Sequence, residues 1–207
     1  MKVPLVYPKI PENSNKFITK CIAFEKYDGT NLHWCWNKCN GWYLFGTRRT
    51  QFTFNKYGIE EFNKEHYELL NASSLFNDGF RDHLSIFLSL SKYKDSNIIV
   101  FTEFYGPNSF AGMHSEEDQI TNKQKLVLID VLVDNKMLEP EIFIKDFVCV
   151  PNAKVVYTGK YNGQFADDVR NGKYNVNEGV VVKSVVDKEV FMTKVKTNTY
   201  LKLIEKI

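Results

Sequence analysis

The 207-residue chain carries 27 basic and 25 acidic residues, a formal net charge of +2, with 43% hydrophobic and 25% charged residues. This balance can fill one substantial core, and it leaves nucleic-acid binding to a local basic patch rather than to overall charge. No apolar run reaches the roughly 20 residues needed to cross a bilayer, and the first ten residues lack the apolar stretch of a signal peptide.

The start of the chain, up to Pro11, reads as an irregular arm. Strands are predicted at Ile18–Glu25 and Leu32–Asn37, and at Trp42–Phe45 after the turn Cys39-Asn40-Gly41. Asp28-Gly29 reads as a tight connection between the first two. Helical spacing runs from Gly58 to Leu70 and from Phe80 to Leu90, where Phe80, Leu84, Phe87 and Leu88 line one face towards a core. Asn97–Phe104 is a continuous apolar strand ending beside Glu103, and Leu126–Val133 is another, broken by Asp130. Pro140–Phe147 and Gln164–Arg170 read as helices, the second stopped by Asn171-Gly172. Gly179–Val186 and Val190–Lys196 are strands joined by Asp187-Lys188, and a short helix is expected from Tyr200 to Ile207. Hairpins interspersed with helices predict an α+β fold with largely antiparallel sheets flanked by helices. The 16 Phe and 11 Tyr favour strands and supply flat surfaces on which bases can stack. The four cysteines, Cys21, Cys35, Cys39 and Cys149, lack paired metal-ligand spacing and read as buried free thiols of a reducing compartment. A cytosolic protein is expected, its own cell's or a host's if the chain is viral.

Five segments carry polar residues where a core would prefer apolar ones. Lys26 stands before Asp28-Gly29 at the end of an apolar strand, where lost hydration favours the neutral, nucleophilic amine. Arg48 follows a strand in Gly46-Thr47-Arg48-Arg49-Thr50. Glu103 closes an apolar strand before Phe104-Tyr105-Gly106. Glu178 directly precedes Gly179-Val180-Val181-Val182-Lys183. Lys194 and Lys196 share one strand face by the period of two. Singly, each is equally at home on a solvated surface; an edge strand commonly carries lysines, and sheet ends carry carboxylates.

In this order and spacing the segments resemble the motifs of the covalent nucleotidyltransferases, the superfamily of ATP-dependent ligases and mRNA-capping guanylyltransferases. The resemblance runs from about Phe24 to Lys196. Lys26-Tyr27-Asp28-Gly29 is similar to the nucleophile motif, and Leu128-Ile129-Asp130-Val131 to a strand that often supplies a base-stacking aromatic. Here Ile129 takes that place, implying an apolar sandwich. Glu25-Lys26-Tyr27-Asp28-Gly29-Thr30-Asn31 leans towards RNA ligases of the RNA ligase 2-like branch, because DNA ligases and capping enzymes usually place Arg where this chain has Asn31.

The resemblance implies the ligase adenylation-domain fold, ATP-grasp-like, as a single domain over residues 1–207 with no oligonucleotide-binding-fold or other C-terminal domain. It implies that Lys26 attacks the α-phosphorus of ATP and expels pyrophosphate, passes AMP to an RNA 5′-phosphate, and that a 3′-hydroxyl then seals the strand. Lys194, Lys196 and a divalent cation would depress the Lys26 pKa and offset charge on the phosphate. Glu178 is expected to hold Mg²⁺ or Mn²⁺. Glu103 and Arg48 are expected to fix the ribose hydroxyls and a phosphate, Asn31 to help position metal or ends, and Glu25 and Ile129 to line the nucleotide site. Lys183 is left between a phosphate contact and solvent. The rival readings are a minimal DNA ligase, a GTP-dependent guanylyltransferase, and a non-catalytic nucleic-acid-binding relative.

Overall fold

Most of the ten strands among the described residues carry the branched and aromatic residues that suit a pleated surface. The computed structural model describes residues 7–12, 14, 16–107, 109 and 123–205. In chain order the elements are β1 (Ile18–Lys26), β2 (Thr30–Asn37), β3 (Gly41–Thr47), β4 (Gln51–Thr53), α1 (Lys56–Glu65), α2 (Ala72–Phe76), α3 (Asp82–Leu90), β5 (Ile98–Tyr105), β6 (Lys125–Val133) and β7 (Lys136–Met137). There follow α4 (Pro140–Asp146), β8 (Val155–Tyr161), α5 (Gly163–Arg170), β9 (Gly179–Val186), β10 (Glu189–Lys196) and α6 (Asn198–Ile204). Every ladder between these strands is antiparallel. The expected α+β class with antiparallel sheets is the one observed.

The chain divides into two compact units. The first comprises Tyr7, Gly29–Leu138 and Phe143–Asn152. Its six-stranded sheet has the order β4-β3-β2-β5-β6-β7. Trp34 of β2 is fully buried, stacked 3.9 Å from Phe76 of α2 and 5.3 Å from Phe45 of β3. Its indole N–H donates to the Thr102 hydroxyl at 2.8 Å, so the one polar group of this large side chain is satisfied. Phe62 of α1 and Phe80 join the same aromatic cluster. Asn55 caps α1 by accepting from the Gly58 amide. A π-helical turn over Asn77–Arg81 joins α2 to α3, so helix begins well before the predicted start at Phe80.

The second unit comprises Pro8–Asp28, Glu139–Ile142 and the chain from Ala153 onward. Its four-stranded sheet has the order β10-β9-β1-β8. Cys21, Ala23, Val180, Val182 and Val195 face α5, whose Phe165, Ala166 and Val169 complete the core. Asn162 caps α5 and Thr197 caps α6 through their side-chain oxygens.

The structure adds to or corrects several expectations. Asp28-Gly29 is the tight connection expected between β1 and β2, but the strands it joins belong to different sheets: β1 pairs with β8 and β9, whereas β2 pairs with β3 and β5. β8 went unread because it is an edge strand whose alternation is weak, with exposed residues spread along its length. All four thiols are free, but only Cys21 and Cys35 are buried; Cys39 lies in a turn and Cys149 follows α4, and both are exposed. The predicted last residues of the C-terminal helix, 206 and 207, lie outside the described residues; α6 itself begins at Asn198.

Candidate active site

In the second unit, register decides which side chains meet. Lys26 pairs with Gly179, which pairs with Lys196; Phe24 pairs with Val181, which pairs with Lys194; Ile22 pairs with Lys183. Residues directly opposite in a sheet share a face, and a face repeats every second residue. Lys26, Lys183, Lys194 and Lys196 therefore all stand on one face, with the α5 core on the other. By the same alternation Glu25, opposite Val180, lies on the core side, so register does not bring it to the lysines.

Charge alternates through the cluster. The Lys26 ammonium donates to Glu178 Oε2 at 2.7 Å, and Lys196 Nζ lies 3.8 Å from Glu178 Oε1. Glu12 Oε1 is 3.1 Å from Lys194 Nζ and 4.0 Å from Lys196 Nζ. Glu178 is 3% exposed, and burial raises its pKa against the pull of Lys26. Glu12 is drawn below the usual carboxylate range, chiefly by its hydrogen bond with Lys194. Lys196 lies 5.1 Å over the Tyr200 ring, and burial, with Glu178 and Asp28 nearby, raises the Tyr200 phenol.

Two sequence readings change here. Lys26 is not simply an amine against an apolar surface; a buried carboxylate holds it. Lys183 does not point to solvent: it is 2% exposed, with its ammonium 4.6 Å over the Phe24 ring. Lys194 and Lys196 do lie on an edge strand, yet their side chains are only 21% and 18% exposed, because Glu12 and Tyr200 cover them.

The first unit presents a second group. Asn31 pairs across the sheet with Glu103, and its side-chain Nδ2 donates to the Thr102 carbonyl at 3.4 Å. Ile129 is the extra residue of a β-bulge, between the pairs Thr102–Leu128 and Phe101–Asp130. Bulges re-aim side chains and recur beside active sites. The Tyr7 hydroxyl donates to the Asp130 carboxylate, and the Tyr7 ring packs edge-on against Phe101. Burial first, then Asp130 and Glu103, raise the Tyr7 phenol, while Arg48 opposes them. Arg48 itself is exposed just after β3. His33, one pleat from Asn31, is 1% exposed, with the Thr47 backbone its polar neighbour. Burial lowers its pKa to about 4.

Glu12, Asp28, Tyr200, Tyr7 and His33 were not singled out by sequence. Asp28 and Asp130 stood within the quoted motifs, whereas Glu12 and Tyr200 reach the site from distant parts of the chain and carry no local signal.

The described residues contain no group of three or more His, Cys, Asp or Glu able to hold a metal ion among themselves. Glu178 offers hard oxygen, which suits a cation that takes its remaining ligands from water and phosphate, as Mg²⁺ commonly does.

The sequence profile of the RNA ligase family matches residues 19–203. No curated protein matches the chain in sequence. Among solved structures, an archaeal ATP-dependent RNA ligase is similar over 94% of this chain and 49% of its own, with a TM-score of 0.56 and 17% identity. A Naegleria gruberi RNA ligase with PPi is similar over 91% of this chain and 52% of its own, with a TM-score of 0.57 and 15% identity. A mutant of that ligase with ATP and Mn gives 0.55 and 14%, over 89% of this chain and 51% of its own. The chain thus spans about half the length of these structures, and at such identities the likeness is one of fold.

Proposed function

The chain belongs to the RNA ligase family, and from that premise we propose that it is an ATP-dependent RNA ligase with Lys26 as its nucleophile. The observation that carries this reading is the gathering of Lys26, Lys194 and Lys196 on one sheet face, with Lys26 and Lys196 at the buried Glu178 and Lys194 paired to Glu12. The Lys26 nitrogen, released from its ion pair and having given up a proton, attacks the α-phosphorus of ATP. A P–N bond forms, the bond to the bridging oxygen breaks, and pyrophosphate leaves. Lys194 and Lys196 are placed to offset the charge gathering on the phosphate oxygens, and a fixed cation costs no reorganisation as the reaction proceeds. AMP then passes to an RNA 5′-phosphate, and a 3′-hydroxyl displaces it to join the strands. In both later steps the leaving group is already activated, so positioning carries the chemistry.

Glu178 is the residue that would hold Mg²⁺ or Mn²⁺, and such an ion would add positive charge at the phosphates. Asn31, Glu103, Arg48 and Ile129 of the first unit are assigned to nucleotide recognition: ribose and phosphate for the polar residues, the base for Ile129. Lys183, buried over Phe24, is assigned to supporting the lysine face. The likeness to ligase structures solved with ATP and Mn, or with PPi, supports the choice of nucleotide and ion.

The test is incubation with α-labelled ATP or GTP and Mg²⁺, followed by denaturing electrophoresis. Label from ATP that stays on the protein and disappears in Lys26→Ala is expected, and nicked-RNA against nicked-DNA sealing then identifies the polymer. Label from GTP alone would replace the reading with a guanylyltransferase. No label from either nucleotide in folded protein would leave a nucleic-acid-binding relative.

A further inference from the structure

The arm before β1 reaches the site through an arrangement that no motif foretold. The Lys194 amide donates to the Pro11 carbonyl at 3.0 Å, and Glu12 forms a parallel bridge with Lys194. The Thr193 hydroxyl donates to the same carbonyl at 3.1 Å. The Ser14 amide donates to that hydroxyl at 3.2 Å, and the Tyr161 hydroxyl donates to the Ser14 carbonyl at 2.9 Å. The arm therefore lies along β10 as a short added edge, held largely by backbone groups. These contacts deliver the Glu12 carboxylate to both lysines of β10, with one oxygen shared between two ammonium groups.

One oxygen between two cations is the arrangement a terminal phosphate would take on the same lysines. The partners differ in burial: the Glu12 side chain is 51% exposed, against 21% and 18% for Lys194 and Lys196. It can swing into water while the lysines stay. Left in place beside a polyphosphate it would face like charge at close range.

We propose that Glu12 is an internal stand-in for a phosphate group, which satisfies Lys194 and Lys196 in the free protein and is displaced when a polyphosphate binds. The ligand class is inorganic pyrophosphate or the triphosphate of a nucleotide, and the inference rests on the assignment of these lysines to phosphate. Glu12 then sets affinity by competition: removing its charge leaves the backbone pairing of the arm intact and frees the lysines for the ligand.

The test is calorimetric titration of the whole chain with pyrophosphate, comparing wild type, Glu12→Gln, Glu12→Ala and Lys194→Ala, with thermal melts confirming that each is folded. Both Glu12 variants are expected to bind about two- to fivefold tighter, the range for losing a half-exposed ion pair. Lys194→Ala is expected to bind more weakly than wild type. If Lys194→Ala is weakened but the Glu12 variants match wild type or bind less tightly, Glu12 does not compete and this proposal is overturned, with the lysine assignment standing. If Lys194→Ala binds as tightly as wild type, the lysines do not hold phosphate and the proposal falls with that assignment.

Discussion

The Lys26–Glu178 pair sets the terms of the proposed chemistry. Glu178 is buried enough for its carboxylate to pay a desolvation penalty, and Lys26 at 2.7 Å is the group that offsets it. The pair fixes the lysine nitrogen in place and also occupies it, so the proposed attack on phosphorus would require the two to part. Glu178→Gln removes the countercharge while keeping the shape. Labelling by ATP is expected to fall at least roughly a hundredfold, the scale of losing one charge-stabilising group. Lys196→Ala, which removes a cation 3.8 Å from the same carboxylate, is expected to cost about as much. Single-turnover labelling rates measure both, and a loss below about fivefold in either would remove that residue from the chemical step. His33 invites a different measurement. Burial, only partly opposed by the Thr47 backbone, keeps it neutral until about pH 4, whereas the unfolded chain takes up its proton near 6.5. Between those values the unfolded state binds more protons, so stability falls as pH drops from about 6.5 to 4, by up to about 3 kcal/mol. His33→Phe should flatten this part of the profile in melts recorded from pH 7 to 4; an unchanged slope would assign the loss to other groups.

β9 and β10 show how an element carries such residues to one point. Gly179 lies opposite both Lys26 and Lys196, at φ 151°. A Cβ there would lie 2.1 Å from the Val195 carbonyl oxygen. Only glycine lets the strands close at this spacing, and the closure sets the distance from Lys26 to Lys196 across the sheet. Gly179→Ala is therefore expected to lower stability by about 2 kcal/mol or more and to reduce labelling in whatever protein remains folded. Chemical denaturation with parallel labelling tests this, and full activity in the folded fraction would separate the strand geometry from the chemistry. The same strands were legible in the sequence, because Gly179–Val186 is an apolar run between turn residues and Lys194-Val195-Lys196 alternates. β8 was not legible, since an edge strand needs little apolar alternation to pair. The Asp28-Gly29 connection was legible, but the sheets it joins were not, for a related reason. A turn dipeptide states that the chain reverses, but which sheet each flank joins is decided by distant partners, here β9 for β1 and β5 for β2.

Over the whole chain, the five polar segments were legible because each is local, and register then places three of them on one sheet face. Glu12 and Tyr200 were not, because their positions depend on pairing across 182 and on capping near the chain's far end. The lysines so gathered sit in a protein of net charge only +2, so any hold on RNA rests on local phosphate contacts. This separates the two halves of the proposed reaction by their response to salt. Lysine labelling needs one small ligand, whereas sealing needs a polyanion whose bound counterions are released, with a slope of about −0.7 per phosphate contact on single strands. Three to four such contacts predict a loss of roughly twenty- to fiftyfold in RNA affinity between 50 and 200 mM salt. Labelling by ATP and joining of pre-adenylylated single-stranded RNA, measured across that range at subsaturating RNA, are expected to diverge by about tenfold or more. Parallel curves would mean that RNA is held by contacts other than its phosphates, and base stacking on exposed aromatic side chains would then be the interaction to test.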